Sequence, residues 1–342
     1  MAVTREGYRI AVPGDGDGAP GLVGVFEGCA LERPVAWLAD LAPQVPGGLT
    51  AVLDSANGIM DAPLAAAGLP VLRADPPVLV DDGATAEALA ALGRSRPGAL
   101  TALSSDGWTM SGREEEIAAA EVASGPVERE LASRGSLLAG GSGTAPVVAL
   151  TFDDGPHPEF TPQVLDVLRR HDAPAAFFCI GLHALAHPGV VRRAAAEGHI
   201  LGNHTWSHAY LPDLGPIGLG RQLGFTRDAL ARACGDDRAV RWLRPPYGGR
   251  SPELLCTVDR LGLTTVLWDV DARDWDRPGP EVIAERVLGR VRPGSVVLMH
   301  DGGGDRSQTV AALPAVITGL RSRGYRLVGL DELLAGAGPA GG

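Results

Sequence analysis

Thr151–Pro158 reads TFDDGPHP. The apolar run Val147, Val148, Ala149 and Leu150 leads straight into two adjacent carboxylates, Asp153 and Asp154, and Gly155 and Pro156 then stop any strand. The acids therefore stand at a strand end. Adjacent side chains on a strand point to opposite faces, so two neighbouring acids share one site only where the strand gives way to a turn. One carboxylate can then bind a metal while its neighbour handles a proton, a division of labour that suits hydrolysis by a metal-activated water. Taken alone, the stretch reads at least as well as a solvated Asp-Asp-Gly-Pro turn; the residues downstream decide between the two.

Downstream, Pro162–Arg170 has helical spacing and Ala175–Ile180 is a continuous apolar run fit for a buried strand. A β/α repeat is under way. A further helix over 189–197 leads to HILGNHTWSH at 199–208, where His204 and His208 stand four apart. On a helix that spacing puts two imidazoles on one face, although two surface histidines produce it equally. With Asp154 as a third ligand the set becomes two nitrogens and one oxygen, suited to zinc with positions open for water and substrate. Trp242–Arg250, WLRPPYGGR, places Arg244 before two prolines and Tyr247 before two glycines that let a ligand come close. This is either a Pro/Gly surface loop or an Arg paired with a catalytic carboxylate beside a backbone N–H aimed at an oxyanion.

The run TTVLWDVDARDW, 264–275, ends in Asp269, Asp271 and Asp274. Clustered carboxylates raise one another's pKa, so these acids need cations nearby, for which Arg244 and a histidine are candidates. GSVVLMHDGGG, 294–304, is an apolar strand that ends at His300. A lone His after a strand is often structural, but here it is one of several strand ends that deliver polar residues. In β/α barrels the loops after the strands form the active face. A helix over 308–323 and a strand over 325–329 close the pattern, and the Gly/Ala/Pro tail from 335 reads as frayed.

Upstream, candidate strands Tyr8–Val12, Leu22–Phe26, Leu49–Leu53, Pro70–Arg73 and Ala99–Leu103 alternate with helical patterns at Val35–Leu41, Ala62–Ala67 and Thr85–Leu92, which suggests a small parallel α/β layer of its own. No nucleotide-binding Gly motif is present, and GDGDG at 14–18 reads as a turn rather than a calcium loop. Between Gly112 and Ser133, good helix formers are interrupted by Gly125 and Pro126, which predicts two short helices or a broken one. The Gly/Ser-rich passage Arg134–Thr144 reads as a linker. The division is thus an N-terminal α/β domain over 1–140, with no assigned role, and a second domain over 146–335.

A net charge of −11 over 342 residues argues against nucleic acid as a partner, and no Lys/Arg run suggests a membrane patch. The four cysteines, Cys29, Cys179, Cys234 and Cys256, are scattered and form no Cys-x-x-Cys pair, which fits a reducing compartment. The N-terminus lacks an apolar h-region and no apolar run is long enough to span a bilayer, so the expected location is cytoplasmic. Nothing in the composition bears on oligomeric state.

TFDDGP, HTWSH, RPPYG, DARDW and VVLMHD, in that order over about 150 residues, resemble the polysaccharide deacetylase family, also called the NodB homology or carbohydrate esterase 4 family. The resemblance spans 146–335 and implies a distorted (β/α) barrel of seven or eight strands that removes an acetyl group, most often the N-acetyl of an amino sugar. It implies that Asp154, His204 and His208 hold a divalent metal, commonly Zn2+ with Co2+ or another divalent ion possible. Asp153 would be the base that activates water, oriented by Arg244. His300 would be the acid, held cationic by Asp274. The backbone N–H of Tyr247 would stabilise the oxyanion, and Trp275 and Leu298 would wall the pocket for the acetyl methyl. None of these positions is substituted.

Relatives that act on cell walls or chitin usually carry a secretion signal, which this sequence does not show, so the expected substrate is an intracellular acetylated amino sugar, glycoside or natural product. Turnover of chitin or peptidoglycan alone would contradict that expectation. Two other readings stand beside it: a hydrolase of a cyclic imide or ureide on the same barrel, and a non-catalytic carbohydrate-binding module.

Overall fold

The computed structural model describes residues 2–5, 7–13, 20–27, 32–45, 49–53, 61–73, 101–103, 114–141, 143–235 and 240–336. These residues group into two compact units, Met1–Ala119 with Trp206–Phe225, and Ala120–Thr205 with Thr226–Gly342.

The N-terminal elements are β1 (Ala2–Thr4), β2 (Gly7–Pro13), β3 (Pro20–Glu27), α1 (Glu32–Leu41), β4 (Ala51–Leu53), α2 (Asp61–Ala66), β5 (Val71–Arg73), β6 (Thr101–Leu103) and α3 (Glu114–Ser133). They form separate small sheets with helices, but the parallel layer expected from their alternation is limited to β4 and β5. Strands β1, β2 and β3 make an antiparallel meander, and β6 runs antiparallel to β5. The physical reason is connection length: six residues join β2 to β3, too few for a crossover. The expected helix at Thr85–Leu92 and the GDGDG turn lie outside the described residues.

Helix α3 is single, not broken, although Pro126 lies inside it. Proline removes the donor that would bond the carbonyl of Val122, but Val122 is 80% exposed, on a face where water can satisfy that carbonyl. Arg250 also spans the weak point, bonding Glu121 at 3.1 Å on one side and Glu128 at 2.5 Å on the other. The helix end is anchored by Leu131, buried with Leu137, Leu255 and Leu267.

The second set of elements is β7 (Leu137–Leu138), β8 (Val147–Asp153), α4 (Phe160–Arg170), β9 (Ala175–Cys179), α5 (Gly181–Ala186), α6 (Pro188–Ala196), β10 (Ile200–Asn203), α7 (Pro216–Cys234), β11 (Trp242–Leu243), α8 (Pro252–Arg260), β12 (Thr264–Val266), β13 (Val270–Asp271), α9 (Pro280–Arg290), β14 (Ser295–His300), α10 (Ser307–Ser322), β15 (Arg326–Leu327) and α11 (Leu330–Gly336). The strands form one parallel sheet, β13-β14-β8-β9-β10-β11-β12-β7, with β15 pairing β8 beside that row. This is the expected distorted (β/α) barrel. Leu137 and Leu138, inside the passage read as a linker, pair with β12 and so belong to the barrel sheet.

Strand β8 is buried along its whole length, which explains why VVALTFD shows no polar alternation: helices or barrel interior cover both of its faces. Helix α4 buries Val164, Leu165, Val167 and Leu168 and turns Arg169 and Arg170 outward. Helix α8 starts where the Ser251 hydroxyl accepts from the Leu254 N–H at 3.2 Å, with Pro252 in the first turn. No helix among the described residues is long and apolar enough to cross a membrane.

Candidate functional site

Val147 and Ala149 belong to the core cluster that also contains Ala176, Phe178, Trp242, Val266 and Val296. Strand alternation therefore sends Thr151 and Asp153 to the same face as Val147 and Ala149. Arg244, the residue after β11, is fully buried and meets both. Its Nη1 donates to Thr151 Oγ1 and to Asp153 Oδ1, each at 2.7 Å. Its Nε and Nη2 donate to the carbonyls of Val266 and Leu267 at 3.2 and 3.1 Å. The guanidinium lies 4.3 Å over the Phe178 ring and 5.6 Å from that of Trp268. Thr151 Oγ1 passes its own hydrogen to the Val297 carbonyl at 2.6 Å. The Oδ1 edge of Asp153 is thus held by a cation that cannot rotate away.

Asp154 leaves the strand with φ +73°, so its side chain does not continue the alternation. Ligand atoms of Asp154, His204 and His208 all lie within 4.8 Å of one another. The two histidines do not share a helix face. They sit in the loop after β10, where Thr205 and His208 take φ of +67° and +60°. His204 Nδ1 donates to the Arg244 carbonyl at 2.7 Å, which leaves Nε2 turned toward Asp154 Oδ1 at 3.4 Å and Asp153 Oδ2 at 3.7 Å. Metal-binding histidines typically have their second nitrogen engaged in this way. Burial pulls the His204 pKa down, but Asp153, Asp154 and the Arg244 carbonyl outweigh it and hold it above its ordinary value. Two imidazoles and a carboxylate around a point of negative potential fit a divalent cation. Gly303 closes the wall beside Asp154, and with φ +72° a Cβ there would lie 2.6 Å from Asp154 Oδ2.

His300 ends β14, and its Nδ1 donates to Asp274 Oδ1 at 2.7 Å. The other oxygen, Asp274 Oδ2, accepts from the His300 backbone N–H at 2.8 Å and from Thr309 Oγ1 at 2.7 Å. Burial works against the imidazolium, but the Asp274 charge and hydrogen bond, with smaller help from Asp154 and Asp153, push the His300 pKa up to about 9. Burial likewise opposes the Asp274 carboxylate, yet His300, Thr309 and Arg306 leave its pKa below the ordinary value. Tyr247 occupies a tight 3-10 turn, Pro246–Gly248, with φ +60° and ψ 10°.

Of the two cations anticipated for the acids of the 264–275 run, the histidine is present and Arg244 is not, its donors going to Thr151, Asp153 and two backbone carbonyls. Asp274 pairs with His300, while Asp271 Oδ1 accepts from the Arg273 N–H at 2.7 Å. Asp269 takes the Val296 N–H and the Ser295 hydroxyl, both at 2.8 Å, with Arg292 3.4 Å away. Repulsion is relieved by giving each carboxylate its own donors, which leaves Arg244 for Asp153. Leu298 is buried on β14, whereas Trp275 is 47% exposed with the Arg273 guanidinium 5.2 Å from its ring.

Thr151, Thr309 and Asp301 carry parts of this arrangement that the motif reading passed over. Thr151 lies in the opening motif and at the correct alternation to share Arg244, a signal available from the strand period. Asp301, directly after His300, is fully buried, and burial pushes its pKa up to about 7 against the opposing hydrogen bond from Thr161.

The family model described as polysaccharide deacetylase matches residues 140–266. The chitooligosaccharide deacetylase of Sinorhizobium fredii is 46% identical over 202 residues, covering 56% of this chain and 94% of the relative. A peptidoglycan-N-acetylglucosamine deacetylase of Bacillus cereus is 41% identical over 196 residues, covering 55% and 88% respectively. Among solved structures, a crystal structure of a peptidoglycan N-acetylglucosamine deacetylase superposes with a TM-score of 0.58 at 36% identity, covering 60% of this chain and 96% of that one.

Proposed function

The chain belongs to the polysaccharide deacetylase family, and on that premise we propose that it hydrolyses the N-acetyl group of N-acetylglucosamine units in a glycan, releasing acetate and a free amine. The observation that carries this reading is the convergence of two built pairs and one triad: Asp153 with Arg244, His300 with Asp274, and Asp154 with the two histidines. The catalytic machinery is assigned to residues 146–335, in a barrel whose sheet also takes β7, and the elements β1 to β6 to a separate domain.

Asp154, His204 and His208 would hold a divalent ion, for which the donor set favours zinc. Bound there, the ion supplies Lewis-acid polarisation and a water made acidic at neutral pH. Arg244 occupies Asp153 Oδ1, so Oδ2 is the oxygen that takes the proton from the attacking water. As the acetyl carbonyl becomes tetrahedral, the Tyr247 backbone N–H donates to the developing oxyanion. His300, with Nδ1 held by Asp274, presents Nε2 to the amide nitrogen and protonates it as the C–N bond breaks. Leu298 and Trp275 are assigned to the acetyl-methyl pocket.

A cationic acid at His300 and a buried base at Asp153 suit expulsion of an amine, which favours acetyl removal over opening of a cyclic imide. Incubation of the purified, zinc-loaded protein with chitooligosaccharides, peptidoglycan fragments and acetylated small molecules, followed by mass spectrometry, tests the reading. The expected product is lighter by one acetyl group. Sugar binding without mass loss from any substrate would favour the carbohydrate-binding module.

A further inference from the structure

Asp301 takes no part in the chemistry above, yet it is fully buried where β14 leaves the sheet. Its backbone N–H donates to the Asp153 carbonyl at 3.0 Å, extending the β8–β14 pairing one residue past His300 and Asp153. Its Oδ2 accepts from the Thr161 hydroxyl at 2.5 Å, and that hydroxyl oxygen accepts from the His157 N–H at 2.7 Å. Asp301 Oδ1 has no hydrogen-bond partner among the described residues. The carboxylate also presses on Gly155, where a Cβ would stand 2.2 Å from Asp301 Oδ2. On its other side the Gly155 peptide is fixed by its carbonyl, which accepts from the Ile180 N–H at 2.9 Å.

A buried carboxyl with a single side-chain hydrogen bond is an expensive way to fill space. A leucine would occupy the volume at lower cost but could not accept from Thr161, and it would collide with Gly155. The flat carboxylate does both jobs. It reaches the start of α4 and stays thin enough for the Asp153–Gly155 turn to close over it. Resting on the function proposed above, we propose that Asp301 is a positioning residue that, with Thr161, fixes the Asp153–Gly155 turn against the end of β14 that carries His300. Base, metal ligand and acid are then registered as one unit.

The test compares Asp301→Asn, Asp301→Ala and Thr161→Val with the wild type. Asparagine keeps an acceptor for Thr161 and the flat shape; alanine and valine each remove the link. Two readouts are used: Co2+ affinity and its visible absorption spectrum, which report the metal ligands without turnover, and kcat and KM on a chitooligosaccharide. Asp301→Ala and Thr161→Val are expected to weaken Co2+ and lower kcat by about 10- to 100-fold, the usual effect of losing a support behind a metal ligand. KM should stay within about 2-fold, because substrate contacts are untouched. Asp301→Asn should recover both readouts to within about 3-fold of wild type.

The proposal is overturned if Asp301→Ala and Thr161→Val keep wild-type Co2+ affinity and kcat, or if Asp301→Asn is as impaired as Asp301→Ala. Thr161→Val serves if Asp301→Ala does not fold. Should the wild type turn over no glycan, the functional reading fails, while the Co2+ comparison still decides the role of Asp301.

Discussion

Replacing Asp274 with asparagine should move the alkaline limb of the pH–rate profile, because Asp274 keeps His300 protonated. The His300 pKa stands at about 9 against an ordinary 6.5, with Asp274 2.7 Å from Nδ1. A difference of that size corresponds to about 3 kcal/mol of preference for the imidazolium. Its sign is set by a contest: burial pulls the pKa down, and Asp274 is the largest influence pulling it up. The substituted amide would still accept from Nδ1 but would carry no charge, so the pKa should fall back to about the ordinary 6.5. At pH 8 the protonated fraction would drop from about 90% to about 3%, a loss of about 30-fold in kcat, whereas at pH 6 most of the acid would remain protonated.

The assay is initial-rate release of free amine from a chitooligosaccharide between pH 5.5 and 9.5, with metal content checked at each end. A divalent ion on Asp154 would remove part of the smaller help from the Asp153–Asp154 pair but leave the Asp274 share intact. A mutant profile that superimposes on the wild type after scaling would refute the reasoning. Stability carries the same signature. Because the folded pKa of His300 is raised, its contribution is fully present below pH 6.5 and is lost as pH rises through about 9, so thermal unfolding should show that alkaline loss in wild type and not in Asp274→Asn.

Asp153→Asn should lower kcat by about 100- to 10,000-fold while the protein still binds its metal, read by turnover alongside metal analysis. Dialysis against a chelator should abolish turnover, and addition of Zn2+ or Co2+ should restore it; full activity in metal-free protein would contradict the assignment of Asp154, His204 and His208. Thr151→Val leaves an Arg244 N–H and the Val297 carbonyl without their partner and should cost about 1–3 kcal/mol in denaturant unfolding.

Much of the site was legible because the barrel places chemistry at strand ends, where motifs interrupt apolar runs. Asp153, Asn203, Leu243 and His300 each close a strand, and the polar residues needed lie at these positions or just after them. What stayed hidden depends on contacts between segments far apart in sequence. The 93 positions separating Thr151 from Arg244 leave no local trace of their hydrogen bond. Asp301 follows the expected strand end at His300 and precedes three glycines, and only the folded pairing of β14 with β8 puts it beneath Gly155. The histidine spacing suggested a helix because four residues make about one turn, but two positive φ values bring the imidazoles together on a loop instead. Gly125 and Pro126 read as a break because propensity is local, whereas Arg250, more than 120 residues away, bridges the two sides of the weak point.

The adjacent acids show why local and long-range causes must act together. Had Asp154 continued the strand, alternation would have sent it away from the interior face where Asp153 meets Arg244, and one carboxylate would have been wasted. A φ of +73° turns it back, a conformation unfavourable for a side-chain-bearing residue though tolerated by aspartate. Something must hold it there. Gly155 allows the chain to close against Asp301, the Ile180 N–H fixes the Gly155 carbonyl, and the His183 ring nitrogen Nδ1 donates to the Asp154 carbonyl at 2.7 Å. The two acids meet different partners because one obeys the strand and the other is forced out of it. The forcing groups are distant residues that no reading of TFDDGPHP alone contains.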